Sequence, residues 1–467
     1  MNAQPSKLLN LPSLQVDVVE AGGRARTNKI KCEIWKNVKF ETKGLEAYCS
    51  STWTSLVFDA FVVAGAVQFC DHIKKRPATG WGREIELRIP VHDPLHWNSQ
   101  AVSTTLHNTL SFLTGDRWSI TFIKRKKDEP SPCQEAFKMP DGSRVIMPFS
   151  DGLDSGAVAG LMKLEHGNRL MLVRLGSKQQ KRPRNGKQHV PFAAVPYDVK
   201  FSEIRSVETS GRSRGFKFAL LTGIAAYLSQ AEQIIVPESG QGALGPALVP
   251  VGQAYEDYRN HPLFMRHMEA FLLALFDHKV RYTFPRLWHT KGQTLAEYIN
   301  SCPDSSDWID TRSCWRGNQH ASVSGLRRQC GICAACILRR MSVHSAGESE
   351  PIETYIWENL SAPRFEDGAA AEFKYKLAKG ANYEYAIAGA LHLDHMAELR
   401  HSHAGGPSLD RAAFQLNRAL DLPQAKIRNN LDRLLKQHEQ EWTDFISSLA
   451  PNSFLAQWAP TVNRHVA

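Results

Sequence analysis

Four cysteines, Cys314, Cys330, Cys333 and Cys336, stand in SCWRGNQHASVSGLRRQCGICAACILRR at a spacing that lets one tetrahedral metal ion collect them all. A Cys-x-x-Cys pair supplies two thiolates from one tight knuckle, and more distant cysteines close the shell. Cys330, Cys333 and Cys336 overlap as CxxCxxC. Cys314 is the nearest upstream thiol for the fourth position, with Cys302 in reserve. Zinc is the expected ion, a structural staple with no open coordination position. An iron–sulfur cluster takes the same ligands and remains the alternative.

A second group of residues has the makings of an anion cradle. Arg144 to Phe149 reads as a buried parallel strand, and Val158, Leu161, Met162 and Leu164 recur at helical spacing. Between them lie Ser150, Asp151, Gly152, Leu153, Asp154 and Ser155. The first N–H groups of a helix have no intrahelical acceptor, so a phosphate placed there replaces missing hydrogen bonds. Two hydroxyls can donate directly. Asp154 is expected to hold the helix N-terminus or a magnesium ion.

SDGLDS resembles the SGGxDS pyrophosphate loop of the PP-loop ATPases, and SCW…CGICAACILR resembles the SCYxG…CGxCxxCxLR signature of the 7-cyano-7-deazaguanine synthases, the QueC family. GRSRGFKF at Gly211 to Phe218 is similar to that family's GRNxxFL segment. IIVPESGQG at Ile234 to Gly242 sits where those enzymes have a strand and a substrate-side loop, and YEDYRNHP at Tyr255 to Pro262 is similar to their DYxxYPDCR. The resemblance runs from about Pro140 to Arg340. Its two end motifs are specific and its middle ones weak.

The resemblance implies an α/β PP-loop ATPase core that adenylates a carboxylate on a 7-carboxy-7-deazaguanine-like base and lets an amine displace AMP. ATP, Mg2+ and Zn2+ are the implied cofactors. Longer members occur in bacterial antiphage operons, notably the Qat system, and for these the implied acceptor is a partner protein's amino terminus. On this reading ATP lies over Ser150 to Ser155. The substrate faces Arg212, Glu238 and Gly240, Arg214 or Lys217 neutralises charge growing in the transition state, and the knuckle holds Trp315, Arg316 and Arg339 against the pocket. Trp315 has a second reading, as an aromatic packed on the knuckle.

Three departures carry expectations of their own. Asp151 replaces a glycine, and its carboxylate would repel pyrophosphate unless it turned outward or shared a magnesium ion. Leu263, Phe264 and Met265 replace charged residues, which points to an altered acceptor. The stretch between Cys314 and Cys330 is long, and its His320, Arg327 and Arg328 are expected to build a wall of the site.

The elements that must position these residues can be read coarsely. At 467 residues two or three domains are expected. Residues 1–123 are expected as an α+β domain, from strand-like Glu86 to Pro90 and Trp118 to Ile123 and helical Leu56 to Ile73 and Ser99 to Thr114, without a catalytic constellation. Residues 124–143 read as a linker, 144–345 as the parallel-sheet core, and 346–467 as a helical region. The terminal regions are expected to bind a protein partner and to be separable from nucleotide binding. His392, His395, His401 and His403 read as surface histidines on an amphipathic helix and not as a metal site.

The net charge is +10. Its densest run, Arg174 to Lys187, and a second from Lys124 to Lys127 read first as solvated loops; both lack stacking aromatics, so as a functional surface an acidic protein is the better partner, with nucleic acid the alternative. Nine cysteines and no amino-terminal signal pattern fit a reducing cytoplasm, and no membrane anchor is expected.

Overall fold

The computed structural model describes residues 11–42, 45, 53–77, 80–127, 144–176, 192–201, 204–250, 255–302, 305–315, 322–323, 325–373, 379–403 and 405–459. Arg316, His320, the basic run from Lys178 to Lys187 and most of the expected linker lie outside these residues.

The chain forms an α/β protein with parallel sheets and a helical carboxy-terminal region. In chain order the principal strands are β1 (Ser13–Val19), β2 (Ile30–Glu33), β3 (Val38–Phe40), β4 (Glu84–Val91), β5 (Arg117–Lys124), β6 (Val145–Pro148), β7 (Leu170–Leu175), β8 (Phe192–Val195), β9 (Tyr197–Val199), β10 (Gln233–Ile235) and β11 (Arg281–Thr283). Two units result. One comprises Met1–Ile146, Met171–Ile234 and Phe264–Tyr282, the other Met147–Leu170, Ile235–Leu263 and Thr283–Ala467.

The first unit contains a four-stranded sheet in the order β2-β1-β4-β5, with every pairing parallel. This region is therefore α/β and not α+β as expected. Helix Gln100–Thr114 carries the chain from β4 back to a parallel β5, a crossover that two strand-like runs alone do not reveal. Helix Ser55–Ile73 is long and apolar enough to cross a membrane, with a mean hydropathy of 1.5, yet 83% of that stretch is buried as core. Its tail anchors four buried charges. Asp71 and Asp116 together accept from Arg76 and Arg83 at 2.6 to 3.2 Å.

A second sheet has the order β11-β10-β6-β7-β8, with β6 parallel to β10 and β7 parallel to β8. β6 follows the sequence expectation because Val145, Ile146 and Met147 are all buried. Its neighbours are β7 on one side and β10 on the other, so the loops leaving β6 and β10 diverge at the point where the strand order reverses.

In the second unit the segment leaving β10 is tied to the segment at the end of β11 and beyond it. Val236 N–H donates to Thr283 O at 2.8 Å and Gly240 N–H to His289 O at 2.9 Å. The carboxy-terminal helices Lys379–Glu398, Gly405–Leu420 and Gln424–Ser447 are part of the same body. Trp442, Phe445 and Ile446 share one apolar core with Cys330, Cys333 and Cys336. Leu416, Leu431 and Leu434 share another with Ala243, Leu244 and Leu287. The boundary expected at residue 345 therefore runs through a continuous core.

Candidate metal centre and anion loop

The four cysteines converge. The Sγ atoms of Cys314, Cys330, Cys333 and Cys336 all lie within 4.8 Å of one another, and those of Cys330 and Cys336 are 3.7 Å apart. Tetrahedral zinc with bonds of about 2.3 Å needs sulfurs roughly 3.8 Å apart, so the quartet fits a metal ion such as zinc. Cys302 is not part of it.

The neighbourhood favours thiolates. Cys330 N–H points at Cys314 Sγ (3.3 Å) and Cys333 N–H at Cys330 Sγ (3.4 Å). Cys333 is the N-cap of helix Ala334–Ser345, which puts Cys336 in the first turn, where the helix dipole stabilises negative charge. Hydrogen bonds from Cys330, Cys333 and Cys336 hold the Cys314 thiol far below its ordinary range, while burial pushes Cys336 up.

Gln329, which sequence reasoning missed, aims the fourth ligand. Its Oε1 accepts from Ser313 N–H (2.8 Å) and Cys314 N–H (3.2 Å), and the residue is only 3% exposed. Gly389 lets helix Lys379–Glu398 approach the knuckle. A Cβ there would stand 2.7 Å from Ala334 N.

The expected anion loop forms between β6 and helix Leu153–His166. Gly152 is the N-cap and offers no side-chain bond, so the leading N–H groups have no side-chain cap. The loop is held by its own serines. Ser150 N–H donates to Ser155 Oγ at 2.9 Å, and Gly152 N–H to Ser150 Oγ at 3.2 Å. Leu153 is buried in the core, so only its backbone is available to a ligand. The loop also reaches the metal arm, because Arg312 N–H donates to Asp151 O at 2.6 Å, two residues before Cys314.

Asp154 is buried and pairs through Oδ2 with Lys291 Nζ, while its Oδ1 has no partner among the described residues. Lys291 is the first residue of helix Lys291–Ser301. Burial, and then Arg339, pull its ammonium down to about 7. It is held from behind. Lys291 N–H donates to Gln241 Oε1 (2.7 Å), which turns Gln241 Nε2 toward His438 Nδ1 (2.8 Å) and leaves His438 Nε2–H for Leu393 O (2.9 Å). The capping box of Thr290 and Gln293 marks this helix start in the sequence. Lys291 was legible as its first residue, but its partner was not.

Several expected site residues have other places. Arg339 is fully buried and donates to Glu350, Thr311 Oγ1 and Trp308 O, behind the loop and not on an open pocket wall. Trp315 is 58% exposed. Gly240 is a packing requirement, since a Cβ there would lie 2.2 Å from Leu287 O. Glu238 accepts from Asn260 Nδ2 at 2.9 Å, and burial pushes it up to about 7. Phe264 and Met265 are core residues at the start of helix Pro262–Phe276, not an acceptor surface. Of the wall residues, Arg328 pairs with Glu358 and Arg327 ends a short hairpin strand.

Arg212, Arg214 and Lys217 gather in the first unit, at the start of helix Arg214–Ser229. Asp71 Oδ2 accepts Ser213 N–H at 2.8 Å, and Arg212 stacks over Trp81. Burial and then Arg214 pull Lys217 down to about 8. The carboxy-terminal histidines form no metal site among the described residues. His392, expected at the surface, is 7% exposed with Nδ1–H on Val249 O, and His401 pairs with Glu439.

Fold and site together define an α/β protein with an uncapped loop–helix junction beside a four-cysteine cluster suited to a metal such as zinc. No family model matches the chain, and no curated protein matches it.

Proposed function

We propose that the chain is an ATP-dependent, AMP-producing carbon–nitrogen ligase of the PP-loop kind. It activates the carboxylate of a 7-deazaguanine-type substrate and passes it to an amine on a partner protein, in the setting of bacterial antiphage defence. The observation that carries the reading is the uncapped start of helix Leu153–His166 at the switch point of a parallel sheet, hydrogen-bonded to the arm of a four-cysteine cluster. That combination joins the two motifs on which the family resemblance rests.

In this reading the backbone of Ser150 to Ser155 holds the nucleotide phosphates and Asp154 a magnesium ion, whose chemistry is to offset phosphate charge. Zinc on Cys314, Cys330, Cys333 and Cys336 would fix the fold of the arm and take no part in the chemistry. The protein's own contribution is positional. Gln329 fixes Cys314, Arg312 fixes the loop through Asp151, and Gln241 fixes Lys291.

The test is release of AMP and pyrophosphate from ATP with 7-carboxy-7-deazaguanine, together with intact-mass analysis of co-expressed neighbouring proteins. A fixed added mass on one neighbour, formed only with ATP, is expected. Conversion of the acid to a free amide or nitrile with ammonia, with no neighbour gaining mass, would reduce the protein to base synthesis. No AMP under any condition would leave it a scaffold on an ATPase-like fold.

A further inference from the structure

A lysine at the first position of a helix is poorly placed. Its charge opposes the positive end of the helix dipole, and burying an ammonium costs several kcal/mol unless it is paired. Lys291 accepts both penalties. It is 7% exposed, begins an eleven-residue helix and has the buried Arg339 as a further positive neighbour. What offsets this is Asp154, itself 8% exposed and in the first turn of helix Leu153–His166, with one carboxylate oxygen on Lys291 and the other without a partner among the described residues. Each side chain is thus half-used. The ammonium needs an anion, and the carboxylate has a free oxygen suited to a cation.

We propose that Asp154 is the resting-state placeholder for a phosphate group, that Lys291 is the residue which takes that phosphate, and that a divalent cation drawing Asp154 away makes the exchange possible. The inference rests on reading the loop as a nucleotide cradle and goes beyond it by naming the ligand and the exchange. Its consequence is selectivity. Metal-free ATP meets the Asp154 carboxylate and is repelled, whereas magnesium–ATP brings a cation for Asp154 and an anion for Lys291 together, so no buried charge is left unpaired. The buttress from Gln241 and His438 holds the Lys291 backbone in place, leaving the side chain as the moving part.

The experiment measures binding of α,β-methylene ATP to the full-length zinc-loaded protein by calorimetry. Magnesium is present or simply omitted, without chelator, so that the cysteine site is not stripped. The wild type is expected to bind at least about tenfold tighter with magnesium, a difference of about 1.4 kcal/mol. Asp154→Asn, nearly isosteric, is expected to lose the magnesium gain and to bind the metal-free analogue at least as well as the wild type does. Lys291→Met is expected to weaken binding in both conditions and Lys291→Arg to restore most of it. Equal wild-type affinity with and without magnesium, or unchanged affinity in Lys291→Met, overturns the inference while the nucleotide reading stands. No binding by the wild type in either condition overturns both. Should Lys291→Met fail to fold, Asp154→Asn decides alone.

Discussion

The carbonyl oxygen of Asp151 accepts the backbone N–H of Arg312 at 2.6 Å, and this bond joins the anion loop to the metal arm. Asp151 is the residue that departs from a glycine-rich loop. This contact is made through the backbone, which any residue could supply. Arg312 in turn donates to Arg327 O and Arg328 O, just before Gln329 and Cys330. Order in the knuckle and order in the loop are therefore linked through two residues.

The first prediction concerns the staple. Cys330→Ser and Cys336→Ser each remove a ligand whose surroundings are the core shared with Trp442 and Phe445. Metal binding in such a knuckle is folding energy, so both variants should carry little zinc and aggregate. Metal analysis with size-exclusion chromatography checks this, and soluble protein with full zinc would sink the four-cysteine assignment.

A milder change separates ligand from support. Gln329→Leu keeps the side-chain volume but leaves the Ser313 and Cys314 N–H groups without their acceptor. The expected loss is about 1–3 kcal/mol of unfolding free energy, with zinc retained but released faster to a chelator. Denaturant melts and the rate of zinc transfer to a colorimetric chelator are the measurements. Unchanged values for both would make Gln329 incidental.

Much of this was legible in the sequence because it was local. CxxCxxC is a spacing rule, and the strand, loop and helix from Arg144 to Leu164 follow from an apolar run and a change of period. What escaped was set by contacts distant in sequence. Lys291 and Asp154 are separated by more than a hundred residues, and Gln329 looks like any polar loop residue until Cys314 folds back on it. The parallel first sheet was hidden for a related reason. β1 pairs with β2 on one side and, through a long connection, with β4 on the other, and the short alternating runs of β1 and β2 carry little signal alone. His392 misled because a histidine on an amphipathic helix reads as exposed, whereas the helix turns it onto Val249 O.

The carboxy-terminal helices lead to a third prediction. If 346–467 were a separate region, truncation after Ser349 would spare nucleotide binding and end only transfer to the partner. It would in fact strip Trp357, Trp442, Phe445 and Phe454 from the core around the cysteines, along with His438 and Glu441 behind Lys291 and Thr290. The truncated chain should be insoluble or zinc-poor. A soluble fragment with full zinc and a cooperative melt would show that the helices are dispensable.

The last prediction is a pH profile with competing signs. Burial holds His392 and His438 at about 4 and His261 at about 3, each neutral in the folded protein. Between an unfolded value near 6.5 and these folded ones, the unfolded chain binds more protons, so stability falls as pH falls, by about 2 kcal/mol for each histidine by pH 5. Glu238 acts in the opposite sense. Burial raises it to about 7, so the folded state binds the extra proton between about 7 and 4.5, and stability rises as pH falls through that window, again by about 2 kcal/mol. His267 and His289, which burial also lowers, act with the three histidines, and Asp59 and Glu441, which burial raises, act with Glu238; the histidines outweigh the carboxylates, so a net loss of stability is expected between pH 7 and pH 5. Replacing Glu238 by Gln removes its share of the offset, so the variant should be more stable than wild type at pH 8, no more stable at pH 5, and steeper in between. Denaturant unfolding of both proteins across this range is the measurement. A wild-type profile that is flat or rises toward pH 5 would mean that the three histidines do not stay neutral inside the fold.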